Sequence, residues 1–288
     1  MNVYWLEQCV ADVPVENDWL SARDVASLNA MRFEKRRSDW RLGRWTAKLA
    51  LASYMHRPAD AQSLAEIEIR PAASGAPEVV LVGIAADVSI SISHSAGTAL
   101  CAITESDEAL ANDVGCDLET VEPRSDAFAA DYFTIPEQEW IACADLADRA
   151  ALLALLWSAK ESVLKTLRIG LRMDTRCLTV TPMSSVEFDA SDTWRPLQVR
   201  LGSDRIFQGW WRYEDRLIRT ITASSPPREP IPLEVPNCAQ AGYGEPTRNR
   251  VQLRAPCAPI TSDCSMSAVL DGPERNKPNP GRSICTRS

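Results

Sequence analysis

Two acids, Asp117 and Glu119, stand two residues apart in the run DVGCDLETVEP, residues 113–123. Successive side chains of a β-strand alternate faces, so these two carboxylates share one face while Cys116 and Leu118 take the other. Like charges that close raise one another's pKa unless a cation neutralises them. A hard divalent cation is one solution, since magnesium is commonly held by one or two carboxylates together with substrate phosphates. A solvated strand face is the other. Further along, LLALLWSAKESVLKTL carries Lys160, Glu161 and Lys165, with Glu161 and Lys165 at i,i+4 and therefore on one face of a helix. An isolated pair of that kind is an ordinary surface ion pair, but this one sits in a strongly apolar segment, where an acid flanked by lysines points to anion or metal chemistry.

Two further clusters carry charge or hydrogen-bonding capacity. In RFEKRRSDWRLGRWTAKLAL, Arg37, Arg41, Arg44 and Lys48 fall at i, i+4, i+7 and i+11, one helical stripe of positive charge beside an apolar stripe of Leu42, Trp45 and Leu49. The stripe reads either as a solvated face or as a phosphate-binding surface, for which arginine supplies a bidentate fork. In SISHSAGTAL, Ser93, His94 and Ser95 form a turn able to bind a phosphate, although a lone histidine is often only a structural hydrogen-bonding residue.

The elements that must position these groups read as mixed α and β. A helix is expected over 38–55, followed by strands near 66–70, 79–81 and 88–93, the last with the period-two alternation VSISIS. TALCAIT continues as an apolar run, and a turn over SDEALAND, 106–113, leads into the acidic strand. The order then repeats, with helices over 136–143 and 148–167 and strands near 177–181, 197–201, 209–213 and 217–222. Two halves of similar build suggest a pseudo-duplicated α+β domain with a site at the seam.

Composition narrows the function classes. Of 288 residues, 45% are hydrophobic and 24% charged, an ordinary globular balance, and the net charge of −8 argues against wholesale nucleic-acid binding. The N-terminus has no basic start followed by an apolar run, and no apolar stretch approaches the roughly 18 residues of a membrane span, so a cytoplasmic protein is expected. Nine cysteines form no CxxC pair and there are only two histidines, His56 and His94, which excludes a multi-histidine metal site and leaves buried free thiols as the plain reading. Nucleophile elbows and both common nucleotide-binding glycine motifs are absent. Beyond residue 224 the composition shifts: eleven prolines fall in residues 225–288, a stretch without helical or strand period that reads as a disordered tail.

Taken in order, RRSDWRLGRWTAK, SISHSAG, VGCDLE and WSAKESVLK with its RIGLRM continuation resemble the 4'-phosphopantetheinyl transferase superfamily, in its larger, surfactin-synthetase-activating type. The resemblance covers the body, residues 1–224. It implies a monomer of two similar halves, 1–112 and 113–224, with the active site at their interface, followed by the 225–288 tail. It implies an enzyme of the holo-[acyl-carrier-protein] synthase kind, which transfers the phosphopantetheine arm of coenzyme A to a serine of an apo carrier protein of polyketide, nonribosomal-peptide or fatty-acid assembly, releasing adenosine 3',5'-bisphosphate. By matching position, Asp117, Glu119 and Glu161 would hold Mg²⁺. Lys160 and Lys165 would lie near the pyrophosphate. His94, beside Ser93, would meet the 3'-phosphate end with help from Arg37, Arg41 and Arg44. Glu161 is the expected general base, with Lys165 and Asp117 completing the catalytic group. Arg168 and Arg172, just after the helix, are placed as a docking edge for the acidic carrier. The sequence departs from the family at Gly75-Ala76-Pro77, where many members carry a lysine, and at Cys116, where an aliphatic residue is usual. A non-catalytic binder of coenzyme A or carrier protein is the alternative.

Overall fold

The alternation and helical periods of the sequence resolve into an α+β fold, described in a computed structural model for residues 1–106, 113–189 and 193–235. All of these lie in one unit, Met1–Pro256. The turn expected over 106–113 falls largely outside the described residues, as does the chain beyond 235.

The strands are β1 Tyr4–Cys9, β2 Ile67–Pro71, β3 Pro77–Leu81, β4 Ile84–Ala85, β5 Val88–Ser95, β6 Thr98–Glu105, β7 Val114–Thr120, β8 Leu178–Pro182, β9 Arg195–Leu201, β10 Arg205–Glu214, β11 Leu217–Ala223 and β12 Ile231–Pro232. The helices are α1 Ala22–Asn29, α2 Glu34–Tyr54, α3 Ala61–Ala65, α4 Asp126–Tyr132, α5 Ile135–Cys143 and α6 Arg149–Thr166. One sheet runs β12-β1-β6-β5, a second β7-β11-β10-β9-β8, and a small third β2-β3-β4. Helix α2 packs on β1, β5 and β6, and α6 packs on β7 and β11. Between β5 and β6 the chain reverses through Ala96 and Gly97, both at positive φ (47° and 76°), the twist a two-residue hairpin turn demands.

Where the two larger sheets meet, their edge strands β5 and β7 lie side by side without a backbone ladder. The serines of VSISISHS take its place. Ser89, Ser91 and Ser93 accept hydrogen bonds from the backbone N–H groups of Val114, Cys116 and Leu118 at 3.3, 2.9 and 3.3 Å, and Ser95 meets Thr120 hydroxyl to hydroxyl at 2.8 Å. Side-chain oxygens thus satisfy buried edge N–H groups that would otherwise be costly. Arg219 of β11 fastens the same seam with two hydrogen bonds to Glu7 of β1, at 2.6 and 2.7 Å.

The composition break at 224 is not where the fold ends. Residues 226–234 run back along β1: Arg228, Ile231 and Leu233 donate backbone bonds to Met1, Val3 and Trp5 at 2.9, 2.9 and 2.8 Å. The prolines suit this edge strand, where one face of the backbone lacks a strand partner.

Candidate active site

Gly115 is the hinge on which the site is built. A Cβ there would lie 1.9 Å from the Ser162 carbonyl oxygen and 2.6 Å from the Thr166 nitrogen, so only glycine lets α6 cross β7 at this distance. The close crossing brings the next turn of α6 against Asp117. From Ala151 to Thr166, α6 is buried at every position except Glu161 and Lys165, the i,i+4 pair.

Lys165 donates to the Asp117 Oδ1 at 2.7 Å and to the Cys116 carbonyl at 3.1 Å. The same Oδ1 accepts from Ser93 at 2.8 Å, across the seam. Asp117 Oδ2 is buried and has no hydrogen-bond partner among the described residues. Glu119 pairs with Arg124 at 2.6 Å. Burial, then the charge of Asp117, push the Glu119 carboxyl up to about 7 against the pull of Arg124. Glu161 is raised by the same two causes, burial first and Asp117 second, and is held back by Lys165. For Lys165 burial acts downward, but the charges of Asp117 and its neighbours outweigh it and the ammonium is raised.

The expected metal-binding carboxylates therefore feel one another's charge. Among the described residues, however, no three His, Cys, Asp or Glu side chains are gathered as a ready metal-binding group. Asp117 Oδ1 is taken up by Ser93 and Lys165, and Glu119 by Arg124. The chemistry of the donors still fits a hard cation: all are carboxylate oxygens, and the partnerless buried Oδ2 is a polar atom of the kind that native structures pair with a ligand, ion or water.

Beside this group opens a cavity of about 550 Å³ between α2, the β2–β3 hairpin, β5, the start of β7 and residues 165–172. Lys165, His94, Arg44, Arg70, Arg168 and Arg172 all line it. His94 is exposed. Arg44 stacks over Trp40, 5.1 Å from the ring centroid, and stands 3.7 Å from Asp24. Burial draws its pKa down, with Asp24 opposing.

Several expected contacts are not brought to this cavity. Lys160 is fully buried on another side of α6, where it pairs with Glu137 at 2.7 Å and donates to the carbonyls of Tyr132 and Thr175 at 3.0 and 3.1 Å. The basic stripe of α2 divides in the same way. Lys48 is buried against Asp24 at 2.7 Å, and Arg41 clamps the carbonyls of Pro14 and Val15. Arg37 is half-buried and is absent from the cavity wall, so of the stripe only Arg44 lines it. A period shows which side chains share a face but not which acid elsewhere in the chain meets them. Arg70 and Trp40 also line the cavity, and no charge period in the sequence marks either of them. Nor does one mark Asp24 or Glu137, although each stands at the third position of a capping box opened by Ser21 or Thr134, a legible signal. Ser93 reaches the site through Asp117, and Arg168 and Arg172, expected as an outward docking edge, line the cavity.

The model of the 4'-phosphopantetheinyl transferase superfamily matches residues 113–218. Among curated proteins there is no match. Among solved structures, a holo-(acyl-carrier-protein) synthase from Bacillus anthracis str. Ames in complex with CoA (3',5'-ADP) is 20% identical, with a TM-score of 0.31, over 37% of this chain and 96% of that one.

Proposed function

We propose, from the place of residues 113–218 in the 4'-phosphopantetheinyl transferase superfamily, that the protein transfers the phosphopantetheine arm of coenzyme A to a serine of an apo carrier protein. The observation that carries this reading is Lys165, which stands at once in the wall of a cation-rich cavity and 2.7 Å from a buried aspartate on the strand of the matched segment. Coenzyme A brings a pyrophosphate and a 3'-phosphate, and a cavity with six cationic or imidazole side chains in its wall is suited to them.

In the reaction the serine Oγ attacks the phosphorus that bears pantetheine. The bond between that phosphorus and the oxygen bridging it to the second phosphorus breaks, and adenosine 3',5'-bisphosphate leaves with the bridging oxygen and the bond's electron pair. Lys165 offsets charge gathering on the pyrophosphate oxygens, the usual main contribution to phosphoryl transfer. Asp117, itself held by Ser93, and the Cys116 carbonyl hold the Lys165 ammonium in place. The serine proton passes to Glu161, directly or through a water, and the raised affinity of that carboxyl for protons suits it to the task. Asp117, Glu119 and Glu161 would hold Mg²⁺, which when bound supplies further charge neutralisation at the pyrophosphate. Two similar halves, 1–112 and 113–224, a monomeric state and a cytoplasmic setting belong to the same reading. Among the described residues no helix is long and apolar enough to cross a membrane.

The test is release of adenosine 3',5'-bisphosphate, followed chromatographically with coenzyme A and Mg²⁺ in the presence and absence of an apo carrier. Carrier-dependent release supports transfer. Binding of coenzyme A with no release across several carriers would leave a binding module instead. Replacing Glu161 by Gln is expected to lower kcat by about 10²–10⁴-fold, and near-normal turnover would remove it as the base.

A further inference from the structure

Residues 168–172 form a part of the cavity wall to which no step above gives a role of its own. Arg168 has φ of +56°, a left-handed conformation that is unfavourable for a non-glycine residue. Such a conformation persists where surrounding contacts determine it. Here the contacts are visible. The backbone is held by bonds from the Arg168 and Ile169 N–H groups to the carbonyls of Lys165 and Leu164, at 3.0 and 3.2 Å. The side chain is held by Asp113 at 2.6 Å and by Ser89 at 3.4 Å, both through Nη2. The Nη1 and Nε groups of Arg168 make no hydrogen bond to a described residue.

The bend at Arg168, followed by Gly170 at φ +56°, returns the chain so that Arg172 also lines the cavity. Arg172 is exposed and has no ion pair among the described residues. The other cations of the wall are engaged: Lys165 with Asp117, Arg70 with Glu68 at 2.6 Å, and Arg44 over Trp40 near Asp24. The turn Ser74–Ala76, also in the wall, carries no charged side chain. Of the wall's guanidinium and ammonium groups, Arg172 is the one with no ion pair among the described residues, and Arg168, although paired with Asp113, keeps Nη1 and Nε without a bond to a described residue.

We propose that Arg168 and Arg172 form a phosphate-binding arm, in which the strained bend presents two guanidinium groups to a phosphate of the cosubstrate, with Asp113 and Ser89 orienting the first. This rests on the transferase reading and assigns the two arginines to the nucleotide side of the site and not to carrier docking. The phosphate is either the pyrophosphate or the 3'-phosphate, and the ligands below separate them.

The experiment is isothermal titration calorimetry of the full chain, without carrier, using coenzyme A and 3'-dephospho-coenzyme A at fixed ionic strength. The variants are Arg172→Met, Arg168→Lys and the pair. Arg172 is exposed, so its replacement leaves the fold intact. Loss of a charge-assisted bond is expected to weaken coenzyme A about tenfold or more for Arg172→Met, and further for the pair. Equal weakening of both ligands identifies the pyrophosphate. Weakening confined to coenzyme A identifies the 3'-phosphate. Wild-type binding matched by all three variants would overturn the arm while leaving the transferase reading in place. A raised KM for carrier with unchanged coenzyme A affinity would return the pair to a docking role. A wild-type chain that binds neither ligand would overturn both readings.

Discussion

The Asp117 carboxylate shows how much a single side chain gathers at this site. One oxygen ties β5 to α6 through Ser93 and Lys165, the other is buried without a partner among the described residues, and the charge of the carboxylate raises both Glu119 and Glu161. For Glu119 the consequence for stability has a definite sign. Its folded pKa of about 7 lies above the ordinary value of 4.5, so the folded state binds the proton more tightly. Stability is therefore lost as pH rises from about 4.5 to about 7 and changes no further above that. Replacement by Gln removes the titration. The melting temperature of Glu119→Gln, taken relative to wild type, should climb between pH 5 and pH 8, and a flat difference would show that Glu119 titrates normally. At this scale the sequence was informative about type and spacing. DxE and E-xxx-K marked the strand and helix positions whose carboxylates feel one another's charge in the fold. It did not reveal that Arg124 pairs with Glu119, a contact between a strand and the loop after it.

At the scale of elements, β7 and α6 were each legible from local period, whereas their close crossing at Gly115 and the role of Lys160, both set by tertiary contacts, were not. Glu161, the neighbour of Lys160 in an apolar segment, pointed to anion or metal chemistry, and the family resemblance put Lys160 near the pyrophosphate. In the fold, α6 is buried nearly all round, so Lys160 had to find an acid inside, and it found Glu137 at the start of α5. Glu137 also accepts from the Thr134 and Val180 backbone N–H groups at 2.8 and 2.9 Å, so the pair joins α5, α6 and β8. Breaking such a pair strands a buried charge, and Lys160→Met should cost about 3–5 kcal/mol in denaturant unfolding. Adding Glu137→Gln should recover part of the loss. A small effect of Lys160→Met on stability, with a large one on coenzyme A affinity, would return this lysine to the cavity. Strand β1 was missed for a different reason: of its six residues only Leu6 is buried, so no period-two signal exists to be read.

Across the whole molecule, the α+β character of the two larger sheets and their helices was legible from element order. The seam between them was not, because it is made by serine hydroxyls in place of a strand ladder. The C-terminal limit was also set too early, since proline content marks where a regular strand is unfavourable and not where contact with the body ends. The segment 226–234 is fixed by bonds that include Met1 to the Pro226 carbonyl at 2.9 Å, Trp210 to that of Pro227 at 3.1 Å and Ser53 to that of Glu234 at 2.8 Å, besides the three backbone bonds along β1. A chain ending at Val235 keeps all six. A chain ending at Ser224 loses them, and at about 1 kcal/mol per bond and about 2–4 °C per kcal/mol its melting temperature should fall by roughly ten degrees or more. Equal melting temperatures for the two truncations would show that this strap contributes nothing.

The most direct test of the account is the intact mass of a purified apo carrier protein after incubation with the full chain, coenzyme A and Mg²⁺, beside a chelated control and a Lys165→Met variant. The account predicts a gain of one phosphopantetheine arm, roughly 340 Da, that disappears with chelator and is strongly slowed by the variant. An unchanged carrier mass across several carrier types, or a gain indifferent to Lys165, would contradict it.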